Sequence, residues 1–317
     1  MMRISYDKRS TLFTALMALL VAMPGFYFIQ NNAPKKYSIV LASSGSLLEG
    51  SRIEYDDLDH DGWSEQLTFG PNGSRSVHVI ISGRNGIIGQ WNFPGIFPSS
   101  DFRFITVDHD QNGTPEAFIF TINSDSLQMY AFDPFKPESK EIRKVFIERI
   151  KLFNDELGAG LYEGGVHDMN GDGFQDLVFG VYTTFSAYPR KVYIYDIFNN
   201  VLLRSDHFGA GISGLHLHDF DRDGKMSIVV ENHSYGNTKD STVAYNDHRT
   251  WLMVYDHNLK FRFEPVEIPG IHCFTKFIPH TQDGASYIIA LQHFREKHDD
   301  NCFMYLFDAQ GKLLKKM

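Results

Sequence analysis

Oxygen-bearing side chains recur in this chain at a spacing that suits a hard divalent cation. The stretches DLDHDGWSE (57–65), DHDQNGTPE (108–116), DMNGDGFQD (168–176) and DFDRDGKMS (219–227) each put Asp or Asn at loop positions 1, 3 and 5 and glycine at position 6. Position 9 is acidic in the first three. Calcium takes about six to eight oxygens at about 2.3 to 2.6 Å, and alternate residues of a tight loop can turn their oxygens toward one point. Glycine at position 6 accepts positive φ without steric cost, so the chain can reverse around an ion and offer the carbonyl of position 7.

The candidate ligands are Asp57, Asp59, Asp61 and Glu65 in loop 1, and Asp108, Asp110, Asn112 and Glu116 in loop 2. Loop 3 offers Asp168, Asn170, Asp172 and Asp176, and loop 4 offers Asp219, Asp221 and Asp223. Ser227 stands at position 9 of loop 4, which makes that loop the weakest of the set. Three or four Ca2+ ions are therefore expected. A fifth copy, PHTQDGASY (279–287), keeps Asp283-Gly284 but lacks acids at positions 1 and 9, so it is expected to keep the turn without the ion. An EF-hand needs glutamate at position 12, where this chain has Thr68, Ile119, Phe179 and Val230. A plain Asp/Gly turn between strands needs no metal and is the competing reading of any single copy. Four copies in register favour the ion.

The elements that position these loops repeat with them. Loop starts fall at 57, 108, 168, 219 and, for the degenerate copy, 279, which gives intervals of 51, 60, 51 and 60 residues and signals a repeat architecture. A strand-like stretch precedes the loop, as in DFRFITV (101–107), and an apolar β-rich run follows it, as in AFIF (117–120) and SIVVEN (227–232). A third strand rich in aromatic and β-branched residues comes next, as in KVYIYD (191–196) and TWLMVYD (250–256), and a more polar fourth closes the unit. Four short antiparallel strands per unit indicate an all-β fold, a β-propeller of about five four-stranded blades. YSIVLAS (37–43) is expected to complete the last blade, since the chain ends at GKLLKKM, just after a third strand and turn.

The loops resemble those of FG-GAP and VCBS repeats, the calcium-bearing blades of integrin α-subunit heads and many bacterial surface proteins. The resemblance covers roughly residues 50–300. It implies that each loop joins the first two strands of a blade and that the ion is mainly structural. Position by position, the implied ligands are the residues named above. Ser227, the decayed copy at 279–287 and the lack of a clean FG…GAP signature in most blades depart from the family pattern.

The first 36 residues have another character. Arg3, Lys8 and Arg9 precede an uncharged run, TLFTALMALLVAMPGFYFIQ (11–30), long enough to cross a bilayer as a helix, which takes about 20 apolar residues. The expectation is a cytoplasmic segment at 1–9, a transmembrane signal-anchor at 10–30, a linker at 31–36 and a calcium-binding propeller at 37–317 outside the cytoplasm, periplasmic or at the cell surface. A cleaved signal peptide is the alternative, because Pro24 and Gly25 can end its apolar core, and the product would then be secreted. Net charge is −9, and the four loops hold 13 of the 39 acidic residues, so much of the excess acidity belongs to the metal sites. Such a surface offers nothing to nucleic acid. Cys273 and Cys302 are too few for a disulfide framework and are expected as buried, unpaired thiols.

No nucleophile elbow, zinc-protease helix, P-loop or CxxC is present. His216 and His218 share a strand face and are weighed as transition-metal ligands against the plainer reading of strand-end histidines. Trp63 at loop position 7 is the tryptophan expected to be exposed. The expected role is a membrane-anchored binding or scaffold module, sensory or adhesive, for a protein or carbohydrate ligand, with no catalytic residues. A carbohydrate-active propeller, a polysaccharide lyase or hydrolase using the same loops structurally, is the alternative.

Overall fold

The computed structural model describes residues 50–73, 75–98, 104–137, 143–150, 159–183, 189–238, 242–294 and 302–317. The N-terminal segments named above, including the hydrophobic run and 37–43, lie outside them. Every regular element among the described residues is a strand. The first meander is β1 (Arg52–Asp56), β2 (Glu65–Pro71), β3 (Ser76–Gly83) and β4 (Gly86–Pro94). The second is β5 (Phe104–Val107), β6 (Glu116–Asn123), β7 (Ser126–Phe132) and β8 (Arg143–Arg149), and the third is β9 (Ala159–His167), β10 (Asp176–Thr183), β11 (Lys191–Asp196) and β12 (Val201–Arg204). The fourth is β13 (Gly211–His218), β14 (Ser227–Ser234), β15 (Thr250–Tyr255) and β16 (Val266–Ile268). The fifth is β17 (Cys273–Gln282), β18 (Ala285–Phe294), β19 (Phe303–Asp308) and β20 (Leu313–Lys316). In all five, consecutive strands pair antiparallel.

Burial explains the sequence patterns of these strands. On β6, Ala117 and Ile119 pack with Leu67, Phe69 and Val79 of the first meander, while Phe118, Phe120 and Ile122 pack with Leu177, Phe179 and Tyr193 of the third. A strand covered on both faces reads as a continuous apolar run. β3 and β18 pack on one face only, and their burial alternates residue by residue. Two further cores join the third meander to the fourth and the fourth to the fifth. None of these four cores joins the fifth to the first.

The fourth and fifth meanders share a ladder. β14 pairs β15 through residues 228–230 and then β17 through residues 232–234. Where the ladder divides, the fully buried Asn232 takes over the role of a backbone partner. Its side chain accepts from Trp251 N at 2.9 Å and donates to Trp251 O at 2.6 Å. An apolar residue there would remove the Asn232 partner of both Trp251 groups.

Two expectations need correction. The C-terminal GKLLKKM supplies a fourth strand of its own: Asp308 caps the turn by accepting from Lys312 N at 2.9 Å, and β20 pairs β19. The fifth meander therefore has four strands among the described residues, and the pairing expected of 37–43 lies outside them. Cys273 is buried at the start of β17, but Cys302 is exposed just before β19, and the two are not joined.

Gly95 links the first two meanders. Its φ is +112°, and a Cβ there would sit 2.6 Å from the carbonyl oxygen of Ile122, beside the paired backbones of Ile96 and Ile122. Gly95→Ala is expected to destabilise by more than about 1 kcal/mol, because the conformation and the backbone contact both exclude a side chain. Urea denaturation measures it, and an unchanged midpoint would refute it.

Candidate functional site

The acidic loops connect the first strand of a meander to the second, so loops 1 to 4 lie between β1 and β2, β5 and β6, β9 and β10, and β13 and β14. One pattern of side-chain to backbone bonds shapes them all. The position 1 carboxylate accepts the position 6 glycine N–H, from Gly62 to Asp57 at 2.9 Å, Gly113 to Asp108 at 2.8 Å, Gly173 to Asp168 at 2.8 Å and Gly224 to Asp219 at 2.9 Å. The position 5 oxygen accepts the N–H of position 7 in every loop, at 2.7 to 3.0 Å. Position 4 is left-handed throughout, at His60, Gln111, Gly171 and Arg222, with φ from +57° to +82°. The loop therefore reverses direction at positions 4 and 6, and its position 1 and position 5 oxygens are turned back onto its own backbone.

Position 2 anchors the loop. Leu58, Met169 and Phe220 are buried in the cores beneath loops 1, 3 and 4. In loops 1 and 3 the position 9 carboxylate also accepts the position 2 N–H, from Leu58 to Glu65 and from Met169 to Asp176, both at 2.9 Å. Burial raises the Glu65 carboxyl above its ordinary range and pushes that of Asp176 up to about 7. Loop 2 differs because His109 occupies position 2. Its Nδ1 lies 3.0 Å from Glu116 Oε2, while an Arg143 nitrogen lies 3.6 Å from Glu116 Oε1.

Loop 1 gathers three carboxylates. Asp57, Asp59 and Asp61 bring carboxylate oxygens within 4.8 Å of one another, the one such group among the described residues. Asp57 Oδ1 is also buried with no hydrogen-bond partner. A divalent cation satisfies both features, since it neutralises crowded carboxylates and fills an orphaned lone pair. In loops 2 and 3 one of the three positions is an asparagine, and its side-chain amide donates to a neighbouring carboxylate, from Asn112 to Asp110 at 2.8 Å and from Asn170 to Asp172 at 3.0 Å.

Antiparallel order places the connection between third and fourth strands at the same end as the acidic loop. In each of the first four meanders that connection, or the first residue of the strand that follows it, lays a side chain on the loop. The Arg84 guanidinium stacks over Trp63 at 4.6 Å, and Phe198 stacks on Phe174 at 3.8 Å. Arg143 faces Glu116 in loop 2. Arg262 reaches loop 4, where its Nη1 and Nη2 donate to Asp221 at 2.7 and 2.9 Å and Nη1 also donates to Ser227 Oγ at 3.1 Å. Sequence reasoning missed these covering residues; the visible sign for Arg262 was the loss of the acid at position 227. Trp63 is 57% exposed, as expected. The decayed fifth copy is a two-residue turn with Asp283 at φ +49° and Gly284 at φ +84°, the shape of a tight hairpin.

His216 and His218 take different partners. His216 Nε2 lies 2.7 Å from Glu231 Oε1 on β14, and His218 Nε2 lies 3.0 Å from Thr281 Oγ1 on β17. This is the plainer of the two readings given above. Glu231 is 7% exposed, and it adds to the burial that raises the phenol of Tyr162, which stacks on Tyr182 at 5.2 Å.

These strands and loops define an all-β protein of face-packed antiparallel meanders with acidic loops at their first connections. No family model matches the sequence, and no curated protein matches it. A solved structure titled "Structure of Dos1 propeller" aligns with a TM-score of 0.41 and 10% identity, covering 85% of this chain. The chain spans 62% of that structure's length, and a likeness this distant carries no argument about function.

Proposed function

We propose that the chain is a calcium-binding β-propeller module of FG-GAP/VCBS type, held at the outer face of a membrane by residues 10–30 and serving as a binding or scaffold domain. The observation that carries the reading is the convergence of Asp57, Asp59 and Asp61, together with the buried, unpartnered Asp57 Oδ1. The shared bond pattern extends it to Asp108, Asp110, Asn112 and Glu116 in loop 2 and Asp168, Asn170, Asp172 and Asp176 in loop 3. A bound ion would tie the first strand of each meander to the second and hold the loop surface rigid for a protein or carbohydrate ligand.

The test is a count of bound calcium by equilibrium dialysis on the 317-residue chain and on Asp57→Ala. The wild type is expected to hold three ions and the variant two. Equal counts would remove loop 1 from the reading, and no ion at all would leave the loops as turns.

The carbohydrate-active alternative draws on one observation, the buried Glu231 whose Oε1 lies 2.7 Å from His216 Nε2. A carboxylate-held imidazole is suited to moving a proton. Turnover of a mixed polysaccharide panel by the same preparations would favour it, and binding without turnover favours the module.

A further inference from the structure

Loop 4 keeps three aspartates yet does not gather them as loop 1 does. Both loops carry Asp at positions 1, 3 and 5, but only Asp57, Asp59 and Asp61 converge within 4.8 Å among the described residues. In loops 1 to 3 the position 3 oxygen accepts the position 5 N–H, from Asp61 to Asp59 at 3.1 Å, Asn112 to Asp110 at 3.2 Å and Asp172 to Asn170 at 2.8 Å. In loop 4 both oxygens of the position 3 residue, Asp221, are turned to Arg262.

We propose that the Arg262 guanidinium is the resident cation of loop 4, in place of a metal ion, so that the chain takes calcium in loops 1 to 3 and not in loop 4. Three features agree on this. Arg262 binds Asp221 in the two-pronged geometry that matches a guanidinium to a carboxylate. The same Nη1 reaches Ser227 Oγ at 3.1 Å, so the groups at two ligand positions, 3 and 9, meet on one side chain. The residue at position 9 is also suited to that cation: a hydroxyl accepts an N–H without adding charge, whereas a second carboxylate belongs with a divalent ion.

The fold makes the exchange possible. Arg262 lies between β15 and β16, its N–H bonded to Val254 O at 2.9 Å, on the connection that covers loop 4. Its guanidinium rests over the ring of Phe220, the loop's buried anchor, at 5.3 Å. Arg262 is 17% exposed against 54% for Asp221, so the cation is the more sheltered partner. A calcium ion seated among Asp219, Asp221 and Asp223 would face this fixed positive charge at short range. Arg143 is not equivalent in loop 2, because it stands 3.6 Å from Glu116 and donates to Tyr195 Oη and to Ile197 O, the latter at 2.8 Å.

The contrast with loops 1 to 3 rests on the calcium reading, whereas the ion pair does not. Thermal melts of the full chain in millimolar calcium and in EDTA separate the two. Asp59→Asn is expected to lower the midpoint in calcium alone. Asp221→Asn and Arg262→Gln should each lower it equally in both buffers, and the double variant should fall no further than the worse single. Arg262→Gln combined with Ser227→Asp should gain one bound ion. A loss at Asp221→Asn that appears only in calcium, a fourth ion on the wild type, or additive losses from Asp221→Asn and Arg262→Gln would each overturn the proposal. If Asp59→Asn shows no calcium dependence, the calcium reading fails, and the Asp221–Arg262 pair is still decided by additivity.

Discussion

Chelation of calcium is expected to lower the thermal midpoint by many degrees, and its return to restore it. A site filled at 100 times its dissociation constant stabilises the native state by about 2.7 kcal/mol, so three sites contribute about 8 kcal/mol. With about 2.1 cal/mol/K of unfolding entropy per residue, each kcal/mol moves the midpoint of a chain this long by about 1.5 to 2 °C, which puts the shift at about 12 °C or more. The shift should also depend on pH. The Asp176 carboxyl sits at about 7 because it is buried, so without metal it keeps its proton in the folded chain well above the pH at which the unfolded chain loses it. In EDTA its contribution to stability is therefore largest at low pH and is lost as pH rises from about 4 to about 7. An ion in loop 3 requires the ionised form, so calcium should stabilise more at pH 8 than at pH 6. Scanning calorimetry with and without EDTA at both pH values reads all of this. Superimposable scans would show that the loops are held by their own hydrogen bonds.

Phe179→Ala should be the most damaging single core change, with a loss of about 3 to 5 kcal/mol that calcium does not recover. The ring is fully buried on β10, stacked on Tyr193 at 5.1 Å and set edge-on to Phe120 of the neighbouring meander at 5.2 Å. Its removal opens a cavity between two sheets whose facing strands are tied by backbone ladders and so relax only in part. Guanidinium denaturation measures the loss. A value under about 1 kcal/mol would mean that the second and third meanders do not depend on this contact.

The two expectations draw on different layers of information. The loops were legible as sequence because nine consecutive residues contain nearly everything that shapes them: an oxygen at position 1 for the glycine N–H, an oxygen at position 5 for the position 7 N–H, and glycine where φ must be positive. Such bonds depend on local spacing and recur wherever the spacing recurs. The apolar residues at position 2, Leu58, Met169 and Phe220, belong to the same local code. Strand order was legible for a similar reason, since the turn signals and the periods of 51 and 60 residues mark out one meander after another. The short β20 was missed because four residues, two of them lysine, carry little strand signal until Asp308 closes the turn that returns them to β19.

By itself, then, the sequence determined an all-β chain of repeated four-stranded units and the conformation of its acidic loops, because both follow from neighbours in the chain. Tertiary structure alone decided what lies over each loop. Arg262 meets Asp221 across 41 residues, and Arg84, Arg143 and Phe198 cover the other loops, because antiparallel order puts the last connection of a meander, and the start of the strand after it, beside its first connection. It also decided the division of β14 between β15 and β17 at Asn232. Contacts of this kind depend on which strand ends pack side by side, a property of the folded sheets that no window of nine residues contains.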